Sequence, residues 1–251
     1  MRVENLYRYP VKSLSAEALE WIDLEPGQAL PWDRAFALAQ GDSGFDPAAP
    51  VFRHKSNFMC LLKNERIAGL RAGFDTHEGV LAIEAPDGSG VRASPLSAEG
   101  RARLGAFLTT FLGEEARGQP VFHHVPGHVF GDQREPAVSL LSLSSLHAFE
   151  GDVGAARDKM RFRANVYFSG SPPWAENDWI DRLIEVGGAT LRIVKRTRRC
   201  NATQVNPATT ERDADPVREL IRAYGHADLG VHASVVEGGR IAVGDELVVL
   251  A

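Results

Sequence analysis

The chain has 251 residues, 44% hydrophobic and 24% charged, with a formal net charge of −5. That composition supports a packed core and excludes wholesale disorder, and its length suggests one large domain or two small ones. An acidic balance offers no global field for nucleic acid or an anionic membrane, so any anion site has to be local.

The N-terminal "MRVENLYRYPVKS" alternates like a strand and carries no signal-type apolar run. "ALEWIDL" alternates likewise and "AFALAQ" is short and apolar, so three strands are expected here. "CLLKNERIAGL" reads as a hairpin turning at Lys63-Asn64-Glu65, and "GVLAIEAPDGSGVRAS" as another turning at Pro86-Asp87-Gly88. A helix comes next: Ser97 caps it, Leu104, Phe107, Leu108, Phe111 and Leu112 fall at helical spacing, and Gly113 stops it. "GEEARGQP" marks a boundary near residue 118, which divides the chain into domains at 1–118 and 119–251.

"VFHHV" and "AVSLLSLS" then read as strands, and "SSLHAFE" as one or two helical turns. "FRANVYFSG" reads as a strand ending in a Gly-Ser-Pro-Pro loop, and "LIEVGGATLRIVKR" as a hairpin around Gly187-Gly188. A late helix is capped by Asp215, has Pro216 at its first position, presents Val217, Leu220, Ile221 and Tyr224 on one face, and ends at Gly225. The tail "SVVEGGRIAVGDELVVL" reads as a Gly-turned strand pair. The expected fold is mainly β with a few helices (α+β), built from barrels or curled sheets. No apolar run reaches the roughly 18 residues of a membrane span, and the expected location is the cytoplasm.

The chemistry concentrates in "LRIVKRTRRCNATQVNP", where Lys195, Arg196, Arg198 and Arg199 crowd before Cys200. Nearby cations favour a thiolate, the form of cysteine that attacks or binds metal. If Leu191 and Ile193 face the core, Arg192 and Val194 face away, and Cys200 sits where the strand runs out into a loop. The other cysteine, Cys60 in "FMCLL", reads as core packing, and two cysteines make no disulfide framework. The arginines lack the interleaved aromatics of a nucleic-acid patch. His123, His124 and His128 have no cysteine or carboxylate nearby at zinc spacing. No Gly-x-Ser-x-Gly elbow, GxxxxGK[ST] or GxGxxG is present.

Several separated motifs resemble, in order, those of the MOSC family, named for the C-terminal domain of molybdenum cofactor sulfurase, and most closely its amidoxime-reducing branch. They are "YPVKS" at 9–13, "DRAFAL" at 33–38, "RFRANVYFSG" at 161–170, "RCNATQVNP" at 199–207, "RDADPVREL" at 212–220 and "GRIAVGDEL" at 239–247. The resemblance implies an N-terminal β-rich domain packed on a C-terminal β-barrel domain, with a molybdopterin cofactor between them. It implies Cys200 as the molybdenum ligand. It implies cofactor contacts from Lys12 and Ser13, from Arg34, from Arg163 and Asn165 sharing one strand face, and from Thr203 and Arg212, with Arg53 and Ser142 as further contacts. Arginine forks suit the cofactor's phosphate. Asn206 departs from the acidic residue common before the core proline, and His232 stands near the place of a common aromatic.

The activity this resemblance implies is reduction of N-hydroxylated small molecules such as amidoximes and hydroxylamines, with electrons from a separate electron-transfer protein. No iron–sulfur cluster is expected, because two cysteines cannot ligate one, and no pyridoxal phosphate, because the length leaves no room for a sulfurase domain. The alternative is a non-catalytic carrier of the cofactor, or of sulfur as a persulfide on Cys200. An open coordination position with a path for substrate would separate the two.

Overall fold

Period-two alternation resolves into fifteen strands, joined by three α-helices, in a computed structural model that describes residues 1–250. In chain order these are β1 (Arg2–Arg8), β2 (Glu17–Leu19), β3 (Trp21–Leu24), β4 (Phe36–Ala39), β5 (Arg71–Asp75), β6 (Val80–Glu84), β7 (Gly90–Ala93) and α1 (Ala98–Leu112). Then come β8 (Val121–His124), β9 (Val138–Ser142), α2 (Leu143–Val153), β10 (Val166–Ser169), β11 (Leu183–Val186) and β12 (Ala189–Arg198). The chain finishes with α3 (Pro216–Tyr224), β13 (Asp228–Glu237), β14 (Gly239–Ala242) and β15 (Leu247–Val249). The class is the mainly β, α+β one expected. Among the described residues no helix is long and apolar enough to cross a membrane.

Eight strands form one sheet in the order β15-β11-β12-β13-β9-β10-β1-β2. Within it β9 and β10 are parallel and the remaining pairs antiparallel. Three smaller sheets are β14-β3, β4-β8 and β5-β6-β7. The first strand therefore lies inside the sheet of the second half, and β3 pairs with β14 some two hundred residues later. One core lies on the large sheet, where Val3, Leu140, Phe168, Ile193 and Val231 are fully buried. A second packs α1 on the strands of the first half through Leu104, Leu108, Phe36, Leu38 and Phe122. Each such side chain contributes about 1.5–3 kcal/mol of burial.

Local signals held where they were self-contained. The Ser97 hydroxyl accepts from Gly100 N and Gly113 ends α1; the Asp215 carboxylate accepts from Arg218 N and Gly225 ends α3. The β6–β7 and β11–β12 hairpins form as read.

Several expectations need correction. The stretch at 60–70 is no hairpin: Asn64 Oδ1 accepts from Cys60 N at 3.1 Å, Asn64 N donates to Cys60 O at 2.8 Å, and a 3₁₀ turn comes next at Glu65–Gly69. A side-chain-closed turn takes up the backbone groups a strand would need. "AVSLLSLS" stops as a strand at Ser142, whose hydroxyl accepts from Ser145 N and starts α2, a helix of 11 residues rather than one or two turns. "ALEWIDL" splits into β2 and β3, which join different sheets. The tail strands pair not with each other but with β3 and β11. Ile221 of α3 is exposed, unlike Leu220. Arg163 and Asn165 share no strand face, because β10 begins only at Val166 and Arg163 sits at φ 50° after a 3₁₀ turn.

Candidate functional site

A cavity of about 530 Å³, within the roughly 300–1,000 Å³ usual for small-molecule sites, is lined by residues of both halves of the chain. Cys200 lines it. Strand β12 buries Leu191 and Ile193 and exposes Arg192 and Val194, as alternation requires, then runs out at Arg198. The next turn is held by Thr203, whose N and Oγ1 both donate to Cys200 O, at 3.0 and 2.9 Å. Thr203 thus fixes the loop that presents the thiol. Lys55, which opens a 3₁₀ turn at Lys55–Asn57, donates to Cys200 Sγ at 3.2 Å.

Of the four cations before the thiol, only Arg198 and Arg199 line the cavity. Arg196 turns outward, donating to Asn177 O at 2.9 Å and pairing with Asp178 at 3.5 Å. Arg199 is buried without a carboxylate; it donates to Leu229 O at 2.8 Å and Phe162 O at 2.7 Å. Burial pulls its pKa down to about 10, so it keeps its charge at neutral pH.

Two of the lining guanidinium groups stand over the ring of the buried Tyr9, Arg34 at 4.6 Å and Arg163 at 4.2 Å from the centroid. Asp33 organises this wall. Its Oδ1 accepts from Tyr9 N at 2.8 Å and Asn165 Nδ2 at 3.1 Å, while Oδ2 pairs with Arg34. Asn165 Oδ1 in turn accepts from Ser139 Oγ at 2.8 Å, so Asn165 ties β9 to this wall. Arg163 donates to Leu14 O at 2.7 Å but leaves Nη2 buried without a partner; burial lowers its pKa to about 10. Ser13, Arg34 and Arg163 all have positive φ, 70°, 50° and 50°. Each such L-residue costs about 1–2 kcal/mol, and backbone strain of this kind clusters where a site fixes its geometry.

The third wall is the segment between β8 and β9, residues 125–137. Its Asp132 takes Lys12 on one carboxylate oxygen at 2.6 Å and Lys55 on the other at 3.1 Å. Partial desolvation within the cavity would raise the Asp132 pKa, but the two ammonium groups hold it far below the usual carboxylate range. Burial lowers that of Lys12. In total the lining carries seven cations (Lys12, Arg34, Lys55, Arg134, Arg163, Arg198, Arg199) against three carboxylates (Asp33, Asp132, Glu135), a surplus of four positive charges on an acidic protein.

Lys12, Ser13, Arg34, Arg163, Asn165, Cys200 and Thr203 therefore share one cavity. Three other expected residues do not line it. Arg53 is exposed and donates to Gly44 O at 2.8 Å. Ser142 is fully buried, bonded to Ser171 Oγ at 2.9 Å and spent as the cap of α2. Arg212 reaches Leu61 O at 2.9 Å and Asn201 O at 3.2 Å, clamping the Cys200 loop from its outer side. Lys55 and Asp132 sit in segments without hydrophobic period, where the one available signal is the basic run Arg53-His54-Lys55; Asp33 heads the "DRAFAL" motif, which points to Arg34 and not to the carboxylate beside it. The histidines do not gather a metal: His123 packs on Phe45 and His124 on Phe36, and no cluster of metal-ligating side chains occurs among the described residues.

His232 on β13 also lines the cavity. Burial, together with Arg199 and Lys195, lowers its pKa to about 3, against about 6.5 for an unfolded histidine. Between those values the unfolded chain binds a proton that the folded ring refuses. The folded state therefore loses stability as pH falls through this window, by at most about 1.4 kcal/mol per pH unit. His232→Gln is expected to flatten the acid limb of the stability curve between about pH 6 and 4; urea midpoints measured across that range would expose an unchanged slope.

Comparison with known proteins finds two adjoining family matches, "MOSC N-terminal beta barrel domain" over residues 1–115 and "MOSC domain" over residues 123–248. Among solved structures, the YUAD protein from Bacillus subtilis aligns over 98% of this chain and 93% of its own, at 15% identity and a TM-score of 0.47. YiiM from Geobacillus stearothermophilus aligns over 45% of this chain and 54% of its own, at 16% identity and a TM-score of 0.36. No curated protein matches the chain.

Proposed function

The chain belongs to the MOSC family, whose proteins are associated with the molybdenum cofactor, and from that premise we propose that it is a molybdenum-dependent oxidoreductase acting on N-hydroxylated compounds such as amidoximes and hydroxylamines. The observation that carries the reading is one accessible thiol, Cys200, in a cavity with a surplus of positive charge. The residues fit the group. A thiolate is a soft ligand, the lysine and arginine side chains suit a phosphate, and the buried Arg163 Nη2 still lacks an acceptor.

Cys200 would hold the metal, and Lys12, Ser13, Arg34, Arg163 and Arg198 would hold the rest of the cofactor. Bound there, the cofactor supplies two-electron chemistry that removes the oxygen of an N–O bond. The net reaction takes an N–OH group, two electrons and two protons to N–H and water. Lys55 donates a hydrogen bond to the sulfur at 3.2 Å and so fixes where the thiol points in the cavity. Cationic groups facing the cavity favour negative charge on the departing oxygen. Cys60 borders the cavity but is only 2% exposed, and two cysteines cannot ligate an iron–sulfur relay, so the electrons are assigned to a separate redox protein.

The test is molybdenum per chain, by elemental analysis, for wild type and Cys200→Ser produced in a host that makes the cofactor. Expected is about one metal in the wild type and below about a tenth in the variant, with the folded circular-dichroism spectrum intact. Metal absent from both, in a host that loads a control molybdoenzyme, would sink this reading and favour a carrier of sulfur on Cys200.

A further inference from the structure

One carboxylate in the cavity takes the place of a bound anion. Asp132 spans Lys12 Nζ and Lys55 Nζ with its two oxygens, at 2.6 and 3.1 Å. The lysines stand on fixed ground. Lys12 is 5% exposed, its N donates to Phe36 O, and its Nζ also donates to Phe130 O at 2.9 Å. Lys55 begins a 3₁₀ turn capped by His54 and reaches Cys200 Sγ with the same ammonium. Asp132 has no such footing. Phe130 is buried and anchored, but residues 131–137, which come next, contain neither helix nor strand, Gly131 directly precedes Asp132, and the Asp132 side chain is 46% exposed. The carboxylate can swing into water while the two ammonium groups stay. The other lining carboxylates differ: Asp33 is locked by three hydrogen bonds, and Glu135 pairs with no cation among the described residues.

We propose that Lys12 and Lys55 form an oxyanion subsite that Asp132 closes from within, and that a tetrahedral oxyanion binds there by displacing this carboxylate and releasing residues 131–134. A buried ammonium needs a partner at all times, which the carboxylate supplies until a dianion, more strongly attracted by two fixed cations, replaces it. The proposal rests on the preceding functional reading only for the source of the oxyanion, since the cofactor's phosphate and free phosphate offer the same chemistry.

The experiment is calorimetric titration of inorganic phosphate into cofactor-free chain. Asp132→Asn is expected to bind phosphate about 10-fold tighter than wild type, because the competitor is gone. Glu135→Gln, which neutralises another carboxylate of the cavity, stays within about twofold, and Lys55→Met in the Asp132→Asn background cancels the gain. In wild type, saturating phosphate speeds amide hydrogen exchange at residues 131–134, a readout that needs no substitution. Exchange unchanged by phosphate, with equal affinities in wild type and Asp132→Asn, overturns the proposal; so does an equal gain in Glu135→Gln. Both outcomes in the cofactor-loaded chain support exchange: loss of phosphate binding names the cofactor's phosphate as occupant, and retained binding names free phosphate. A chain that never loads molybdenum but gains phosphate affinity on Asp132→Asn keeps this inference and refutes the function proposed above.

Discussion

Asp33→Ala is expected to lower the unfolding free energy by about 3–5 kcal/mol, the range for stripping one partner from a buried ion pair. Three groups lose their acceptor at once. Tyr9 N and Asn165 Nδ2 both donate to Oδ1, and Arg34 pairs with Oδ2. Asp33 is 3% exposed, so water does not replace it readily. The larger part of the cost is the uncompensated charge of Arg34, which already stands over Tyr9 at positive φ close to a second guanidinium, Arg163. Asp33→Asn separates the contributions. It keeps an acceptor for Tyr9 N but drops the charge, and is expected to cost less than Asp33→Ala. Urea denaturation of the three proteins decides the matter. An Asp33→Ala midpoint equal to wild type would mean that this wall of the cavity relaxes freely, and the held geometry inferred from its strained backbone would fall with it.

The sequence was most legible where one short segment carries its own reason. Ser97, Gly113, Asp215 and Gly225 bound their helices because cap chemistry is local. The thiol's place at the end of β12 came from alternation alone. Pairing was not legible in the same way. Nothing within "GRIAVGDEL" says that Ile241 lies beside Ile22, or that Leu247 lies beside Val186; those partners are chosen by the shared core, at long sequence separation. The site shows the same split. Motif resemblance brought Lys12, Arg34, Arg163 and Cys200 toward one place. It placed Arg53 and Arg212 there too, although both spend their guanidinium groups on loop carbonyls. Lys55 and Asp132 were invisible because their role is made by meeting, across 77 residues of chain. The four cations before Cys200 looked equivalent in sequence, yet the strand's pleat and its exit turn give only two of them to the cavity.

Gly230→Ala, in β13, tests how closely that strand is seated on β9 and on Arg199, and its expected cost is about 4 kcal/mol, from left-handed strain plus overpacking. Gly230 has φ 79°, and a Cβ there would lie 2.5 Å from Leu140 O and 3.3 Å from Leu141 Cα. Both are backbone of β9, the neighbour of β13 in the middle of the large sheet. Neither can swing aside as a side chain would. The same Cβ would come within 3.2 Å of Arg199 Nη2, on the guanidinium that holds Phe162 O and Leu229 O beside the thiol. Relief of the clash therefore has to separate two central strands or displace Arg199. Gly225→Ala supplies the comparison: φ is 74°, but no atom lies within 4 Å of the added carbon, so only the backbone cost of about 1 kcal/mol remains. Equal losses in the two variants, measured by denaturant melting, would reduce Gly230 to a conformational requirement. A loss several times larger at Gly230 would locate the constraint in the close approach of β13 to β9, and would make the absence of a side chain there a condition for seating Arg199 against Cys200.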